Sequence, residues 1–302
     1  MIELRPAPGK GMGMFATQDI PRGQILIHEA ALLRLTSQQE CPPNWWVFLY
    51  GAFESLSPED QTRYLELFYL PGEFSNYAAR ISVYLSNFRG VKEEDLDAKV
   101  ALVIKIMSIY DVNNAQLGDG TDGAGIFATY TRINHSCAPN TDWDWQPDSQ
   151  ALEVCANQDI AAGEEITITY IDTLQPYETR ARELAVYGFE CRCKACYDPV
   201  KAISDLGRQA LEDLTRAREH LERLSSGEEP IENVDPFMLD NCGMIISELA
   251  TKHVEFLTAE GLTGSELDRA SKFPAHFHDL FGRYRRFCEA AHFASKNRLF
   301  HQ

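Results

Sequence analysis

The pattern of apolar and polar positions changes character along the chain. In the first stretch, short apolar runs alternate with turn residues. Gly9-Lys10-Gly11-Met12-Gly13 reads as a glycine-rich loop, Met14-Phe15-Ala16 as an apolar run, Ile20-Pro21-Arg22-Gly23 as a turn, and Ile25-Leu26-Ile27 as a strand. From about residue 37 to 110 the signals become helical. Ser57-Pro58-Glu59-Asp60 sets a capping residue before a first-turn proline and two acids, which is how a helix starts. Leu65, Phe68 and Tyr69 then share one predicted face, and Lys99 to Tyr110 is a further apolar helical run. Asn113 to Gly125 is loop-like, broken by Gly118, Gly120, Gly123 and Gly125.

Strand alternation returns in Ala151-Leu152-Glu153-Val154-Cys155 and in Glu165-Ile166-Thr167-Ile168-Thr169-Tyr170, parted by a turn at Ala161-Ala162-Gly163-Glu164. Beyond Cys196, Ile203, Leu206, Ala210, Leu214, Ala217, Leu221 and Leu224 step by three or four along one helical face. Phe273, Phe277, Leu280, Tyr284, Phe287 and Ala291 repeat that spacing. The pattern predicts a β-rich domain interrupted by helices and followed by a helical module over 200–302.

Composition narrows the class. With 302 residues, 44% hydrophobic and 24% charged, the chain can bury a substantial core in one large or two modest domains. A disordered tail, a small disulfide framework and a fibrous repeat are excluded. The net charge of -17 argues against an electrostatic grip on nucleic acid or anionic lipid and favours a cationic partner. Residues 1–199 hold 15 basic against 28 acidic side chains, so most of the acidity lies there. Neither a basic leader with an apolar core nor a run of about 18 apolar residues is present, which predicts a soluble, intracellular chain.

In a reducing compartment the eight cysteines should not pair, and clustered ones suggest metal. Cys191-Arg192-Cys193-Lys194-Ala195-Cys196 places three thiols where they can wrap a tetrahedral zinc ion. A fourth ligand is needed; Cys137, Cys155, a distant histidine or a second chain could supply it, and spacing does not choose. Cys41, Cys155, Cys242 and Cys288 read as small buried apolar residues, and His276, His278 and His292 as structural.

Arg132-Ile133-Asn134-His135-Ser136-Cys137-Ala138-Pro139-Asn140 is unusually polar for a segment between apolar strands. Alone it could be a solvated turn. Gly-Lys-Gly-Met-Gly, Asn-His-Ser-Cys-x-Pro-Asn, Gly-Glu-Glu-Ile-Thr-Ile-Thr-Tyr and Cys-x-Cys-x-x-Cys nevertheless follow one another in an order that resembles the SET-domain protein lysine methyltransferases. The likeness covers residues 9–29 and about 113–196. Tyr187-Gly188-Phe189-Glu190-Cys191 draws it toward the SET-and-MYND (SMYD) branch and related fungal SET proteins. A MYND finger would need seven or eight Cys and His ligands in the helical insertion, where only Cys41 lies, so its partner-binding role is not carried over.

The resemblance implies an α+β fold: SET-domain parts at 1–36 and 111–172, a helical insertion at 37–110, a zinc-binding post-SET segment at 173–199 and a C-terminal helical module at 200–302. It implies that Cys137 joins Cys191, Cys193 and Cys196 around one structural zinc ion. It sets S-adenosylmethionine against Lys10, Met12, Gly13, Asn114, Asn134, His135, Tyr170 and Phe189. Tyr170 and Tyr187 would be the catalytic pair lining a lysine channel. The implied activity is methyl transfer to a lysine amine of a basic protein, with histone tails as one candidate, in nucleus or cytoplasm. Direct nucleic-acid and membrane partners are not expected. The alternative is a non-catalytic SET protein that binds partners; the tyrosines and the intact Asn-His motif count against it.

Overall fold

A computed structural model describes residues 1–118, 123–173, 175–197, 201–202 and 204–209, and the single positions 223, 251 and 255. Nearly all of the helical module expected at 200–302 lies outside these residues, as do His276, His278, His292, Cys242 and Cys288. No helix among the described residues is long and apolar enough to cross a membrane. The chain divides into two compact units. One comprises Met1–Asn134 with Thr141–Ile168; the other joins His135–Asn140 to the described residues from Thr169 onward.

The first unit opens with an antiparallel hairpin of β1 (Ile2–Ala7) and β2 (Gly11–Ala16), in register from Ile2 opposite Ala16 to Ala7 opposite Gly11. Gly9 and Gly11 take positive φ of 75° and 77° at the turn, which a side chain would resist. The predicted glycine-rich loop is therefore shorter than expected, because Met12 and Gly13 are already in β2.

β3 (Ile25–Ala30) and β4 (Leu33–Leu35) lead into the insertion: α1 (Ser37–Glu40), α2 (Trp45–Glu54), α3 (Pro58–Leu65), α4 (Ala78–Arg89) and α5 (Glu93–Asn113). α3 begins as its sequence requires, with Ser57 Oγ accepting the Asp60 amide at 3.1 Å and Pro58 in the first turn. It stops at Leu65, and Phe68 and Tyr69 are exposed, so the predicted shared face does not form. The buried residue of that helix is Tyr64, whose hydroxyl donates to the Ile106 carbonyl at 2.9 Å. The second apolar run is the buried half of α5, which continues to Asn113. Trp46, Leu49, Tyr50, Phe53, Tyr64, Ile81, Leu85, Val103, Ile106 and Met107 form the insertion's core together with Leu35 and Ile126.

After the insertion come β5 (Ala115–Gln116), β6 (Ala124–Ile126), β7 (Asn134–His135), β8 (Thr141–Gln146), β9 (Ala151–Ala156) and β10 (Thr167–Ile168). β4, β6 and β5 form one three-stranded antiparallel sheet in that order, and β3, β9 and β8 another. β1 and β4 to β8 are absent from the sequence reading, and β5 and β6 overlap the stretch 113–125 read as a loop, where pairing of the two short strands overrides the glycines. β8 is Thr-Asp-Trp-Asp-Trp-Gln, and its aspartates are poor strand formers that pairing with β9 overrides. The strand expected over 165–170 shrinks to Thr167–Ile168, and Tyr170 stands two residues beyond it in a bend.

The second unit contains α6 (Tyr177–Ala185) and a helical stretch at Lys201–Ala202 and Ser204–Gln209. Of the apolar face predicted beyond Cys196, only Leu206 lies among the described residues. Leu206 is 73% exposed, whereas Ser204 and Arg208 are fully buried. Arg208 is held inward by donating to the carbonyl of Cys137 at 3.1 Å, to the carbonyl of Thr173, and to Ser204 Oγ at 3.1 Å. Hydrogen bonds to three acceptors compensate the desolvation of its guanidinium.

Candidate functional site

The candidate residues fall into two groups, one in each unit. In the first, the β1–β2 turn carries Lys10, whose Nζ meets Glu165 Oε2 at 2.7 Å. Asn134 Nδ2 donates to Glu165 Oε1 at 2.8 Å and to the Met12 carbonyl at 3.1 Å. Gly13 lies under this array. A Cβ there would stand 2.6 Å from Asn134 Nδ2 and 2.9 Å from Glu165 Oε1, so only glycine fits without displacing them. Lys10, Met12, Gly13 and Asn134 are thus gathered by Glu165, a residue the sequence reading passed over although it quoted the Gly-Glu-Glu run. Asn114 is differently employed: it follows α5, and its amide donates to the carbonyls of Tyr110 at 2.9 Å and Asp111 at 3.1 Å.

In the second unit His135, 2% exposed, is the centre of an aromatic group. Its ring centroid lies 5.3 Å from Tyr170 and 6.1 Å from Phe189, and Tyr170 lies 5.1 Å from Tyr187. The Tyr170 amide donates to His135 Nδ1 at 3.0 Å, and His135 Nε2 stands 3.2 Å from Cys137 Sγ. α6 delivers the remaining aromatics: its end is closed by the Tyr187 amide on the Leu184 carbonyl and by Gly188 at φ 77°, after which Phe189 and Cys191 follow.

Cys137, Cys191, Cys193 and Cys196 converge, with all four Sγ atoms within 4.8 Å of one another. Cys137 Sγ is 3.9 Å from Cys191 Sγ and 3.5 Å from Cys196 Sγ. Sulfurs bound tetrahedrally at about 2.3 Å from zinc stand about 3.8 Å apart, so this set fits a metal ion. Hydrogen bonding from Cys137 pulls the Cys191 thiol far below its ordinary range and brings Cys193 down to about 5, while Cys137 and Cys196 are pushed up. A divalent cation would take the four as thiolates, displacing the protons these sulfurs otherwise share. Two other expected core thiols differ from expectation: Cys41 is exposed and Cys155 only half-buried.

Sequence reading also missed the groups that brace α6. Asp205 Oδ1 accepts the Tyr177 amide at 2.8 Å, at the helix start, and pairs with Arg180 Nη2 at 3.2 Å. Arg180 has no exposure at all.

The chain belongs to the SET-domain family, whose model, described as the SET domain, matches residues 11–171. It is 30% identical over 215 residues to the histone-lysine N-methyltransferase set5 of Schizosaccharomyces pombe, a match covering 70% of this chain and 56% of that protein. The N-lysine methyltransferase SMYD2-B of Danio rerio is 31% identical over 143 residues, 43% of this chain and 31% of the relative. A putative SET domain-containing protein, L678 of Acanthamoeba polyphaga mimivirus, is 24% identical over 196 residues, 62% of this chain and 74% of its own length. The chain spans just over half the length of the fission-yeast protein and under a third of three other fungal relatives.

Proposed function

We propose that the protein is an S-adenosylmethionine-dependent protein-lysine N-methyltransferase. The observation that carries this reading is the Tyr170–Tyr187 pair beside His135 and Phe189, in a SET-family chain whose relatives bear methyltransferase names. Lys10, Met12, Gly13, Asn114, Asn134, His135, Tyr170 and Phe189 would hold the cofactor, with Asn134 and His135 near its adenine and amino-acid portions and Phe189 stacked on the adenine. Bound S-adenosylmethionine supplies an activated methyl group on a sulfonium.

The chain's own residues then have three tasks. Tyr170 and Tyr187 form an aromatic wall that excludes water; desolvation disfavours the charged form of a lysine whose free pKa is about 10.4, making the neutral nucleophile accessible. The hydroxyl of Tyr170 directs the amine toward the methyl, and that of Tyr187 orients the nitrogen and limits how many methyls fit. Cys137, Cys191, Cys193 and Cys196 would hold one structural zinc ion, fixing the segment at 173–199 that bears Tyr187 and Phe189. The acidity of residues 1–199 suits a basic protein substrate, histone tails among the candidates, in nucleus or cytoplasm. The chain from 200 to 302 would form a separate C-terminal helical module.

The test is incubation of the full chain with labelled cofactor, histones and cell lysate, followed by mass spectrometry of the modified residue. Methyl-lysine formed by the protein and lost in Tyr170→Phe, with cofactor binding retained, is expected. Unchanged turnover in that variant, or bound cofactor without transfer to any protein, would overturn the reading.

A further inference from the structure

We infer that His135 is a positioning residue that ties the main chain at Tyr170 to the four-cysteine cluster, so that metal occupancy of the cluster sets where Tyr170 stands. The inference rests on the proposed methyltransferase reading for its consequence, but not for its geometry.

Both ring nitrogens of His135 are engaged, on opposite sides. A backbone N–H can only donate, so the Tyr170 amide 3.0 Å away makes Nδ1 an acceptor. In the neutral imidazole the ring proton then sits on Nε2, and that atom faces Cys137 Sγ at 3.2 Å. With the ring 2% exposed, water does not compete for either contact. A metal-bound thiolate is a stronger acceptor than a thiol, so loading the cluster strengthens the Nε2–H···S bond and fixes the ring. The fixed ring in turn fixes Nδ1 and the amide it receives. Four thiols already complete a tetrahedral shell, which leaves His135 as an outer partner of the metal and not a ligand. Such partners orient the ligands they touch, and removing them commonly weakens metal binding by about 10- to 100-fold. A histidine serving only to fill space would need neither nitrogen directed.

Two variants separate the two bonds. The oxygen of asparagine overlays Nδ1 and can still accept the Tyr170 amide, but asparagine has no donor at the Nε2 position. Glutamine can extend its amide N–H to the sulfur while losing the acceptor. Zinc is loaded onto the full-length wild type, His135→Asn and His135→Gln, and its transfer to a chromophoric chelator is timed. Nitrogen NMR of the wild type, histidine-labelled, reads the tautomer, and the Tyr170 amide resonance is followed as zinc is removed.

The expected results are a protonated Nε2 with bare Nδ1, a Tyr170 amide that shifts on zinc removal, and zinc release about 10- to 100-fold faster in His135→Asn than in His135→Gln. A protonated Nδ1, or a Tyr170 amide indifferent to zinc in the wild type, overturns the inference even if both variants fail to fold. Absence of methyl transfer with these signatures intact would overturn the enzymatic reading and leave this one standing.

Discussion

Single residues decide more of the candidate site than their place in the sequence suggests. Spacing left four sources for the last cluster ligand, because a contact across more than fifty residues of chain has no local signature; Cys137 is where the fold brings a sulfur to within 4 Å of Cys191 and Cys196. Gly13 was legible only as a loop glycine, whereas it is a strand glycine kept bare by its neighbours. Gly13→Ala should push Asn134 and Glu165 apart, cost about 1–2 kcal/mol in chemical denaturation and weaken S-adenosylmethionine binding by calorimetry. Unaltered affinity would remove Gly13 from the residues proposed to hold the cofactor.

Burial also sets a pH limit at this scale. It pushes the Tyr50 phenol up to about 12, with the neighbouring Glu54 adding to the effect. Below the ordinary tyrosine pKa of about 10 both folded and unfolded chains keep that proton, and the stabilisation is fully present. As pH rises toward the folded value the unfolded chain releases its proton first and is favoured. Urea midpoints should therefore fall between about pH 10 and 12, and Tyr50→Phe should flatten that fall. An equally steep decline in the variant would assign it to other groups.

Elements were legible where one local rule governs them. α3 follows its cap, and Ser57→Ala should cost about 1 kcal/mol in thermal or urea melts. The hydrophobic run at 99–110 is the core half of α5. Reading failed where partners outvote propensity: β8 is a strand because β9 is beside it, and the helical stretch at Ser204–Gln209 turns its arginine inward because Cys137 and Thr173 offer carbonyls. α6 depends on a comparable partner. Asp205→Ala would leave the guanidinium of Arg180 buried without its acid. The expected loss is on the order of 2 kcal/mol, at the low side for a broken buried pair because Asp205 retains solvent contact. A urea midpoint within error of wild type would show that Arg180 finds another acceptor.

At the scale of the molecule, the two compact units predict two responses. Removing metal with a chelator should expose the amides of residues 135–140 and 169–197 to hydrogen exchange, while the β3–β9–β8 sheet and the insertion core stay protected. Uniform loss of protection would mean that the cysteines hold the whole chain. Under the proposed activity, the overall charge of -17 predicts that KM for a lysine-rich peptide rises with salt while kcat changes little; a salt-independent KM would assign recognition to shape instead.

The insertion leaves the sheet at β4 and returns at β5, and these two strands flank β6 on either side, with Leu35 and Gln116 both opposite Ala124. Its ends are therefore held in place by a common strand, two strand spacings or about 10 Å apart. A segment anchored in that way can lengthen, shorten or be exchanged with little added cost of closure, since that cost grows only slowly with loop length. The constraint on any replacement is local: it must offer an apolar face to Leu35 and Ile126, which α2 and α5 now cover. This junction is accordingly the point at which the chain could be grafted with a foreign recognition module while the residues proposed for catalysis keep their own scaffold.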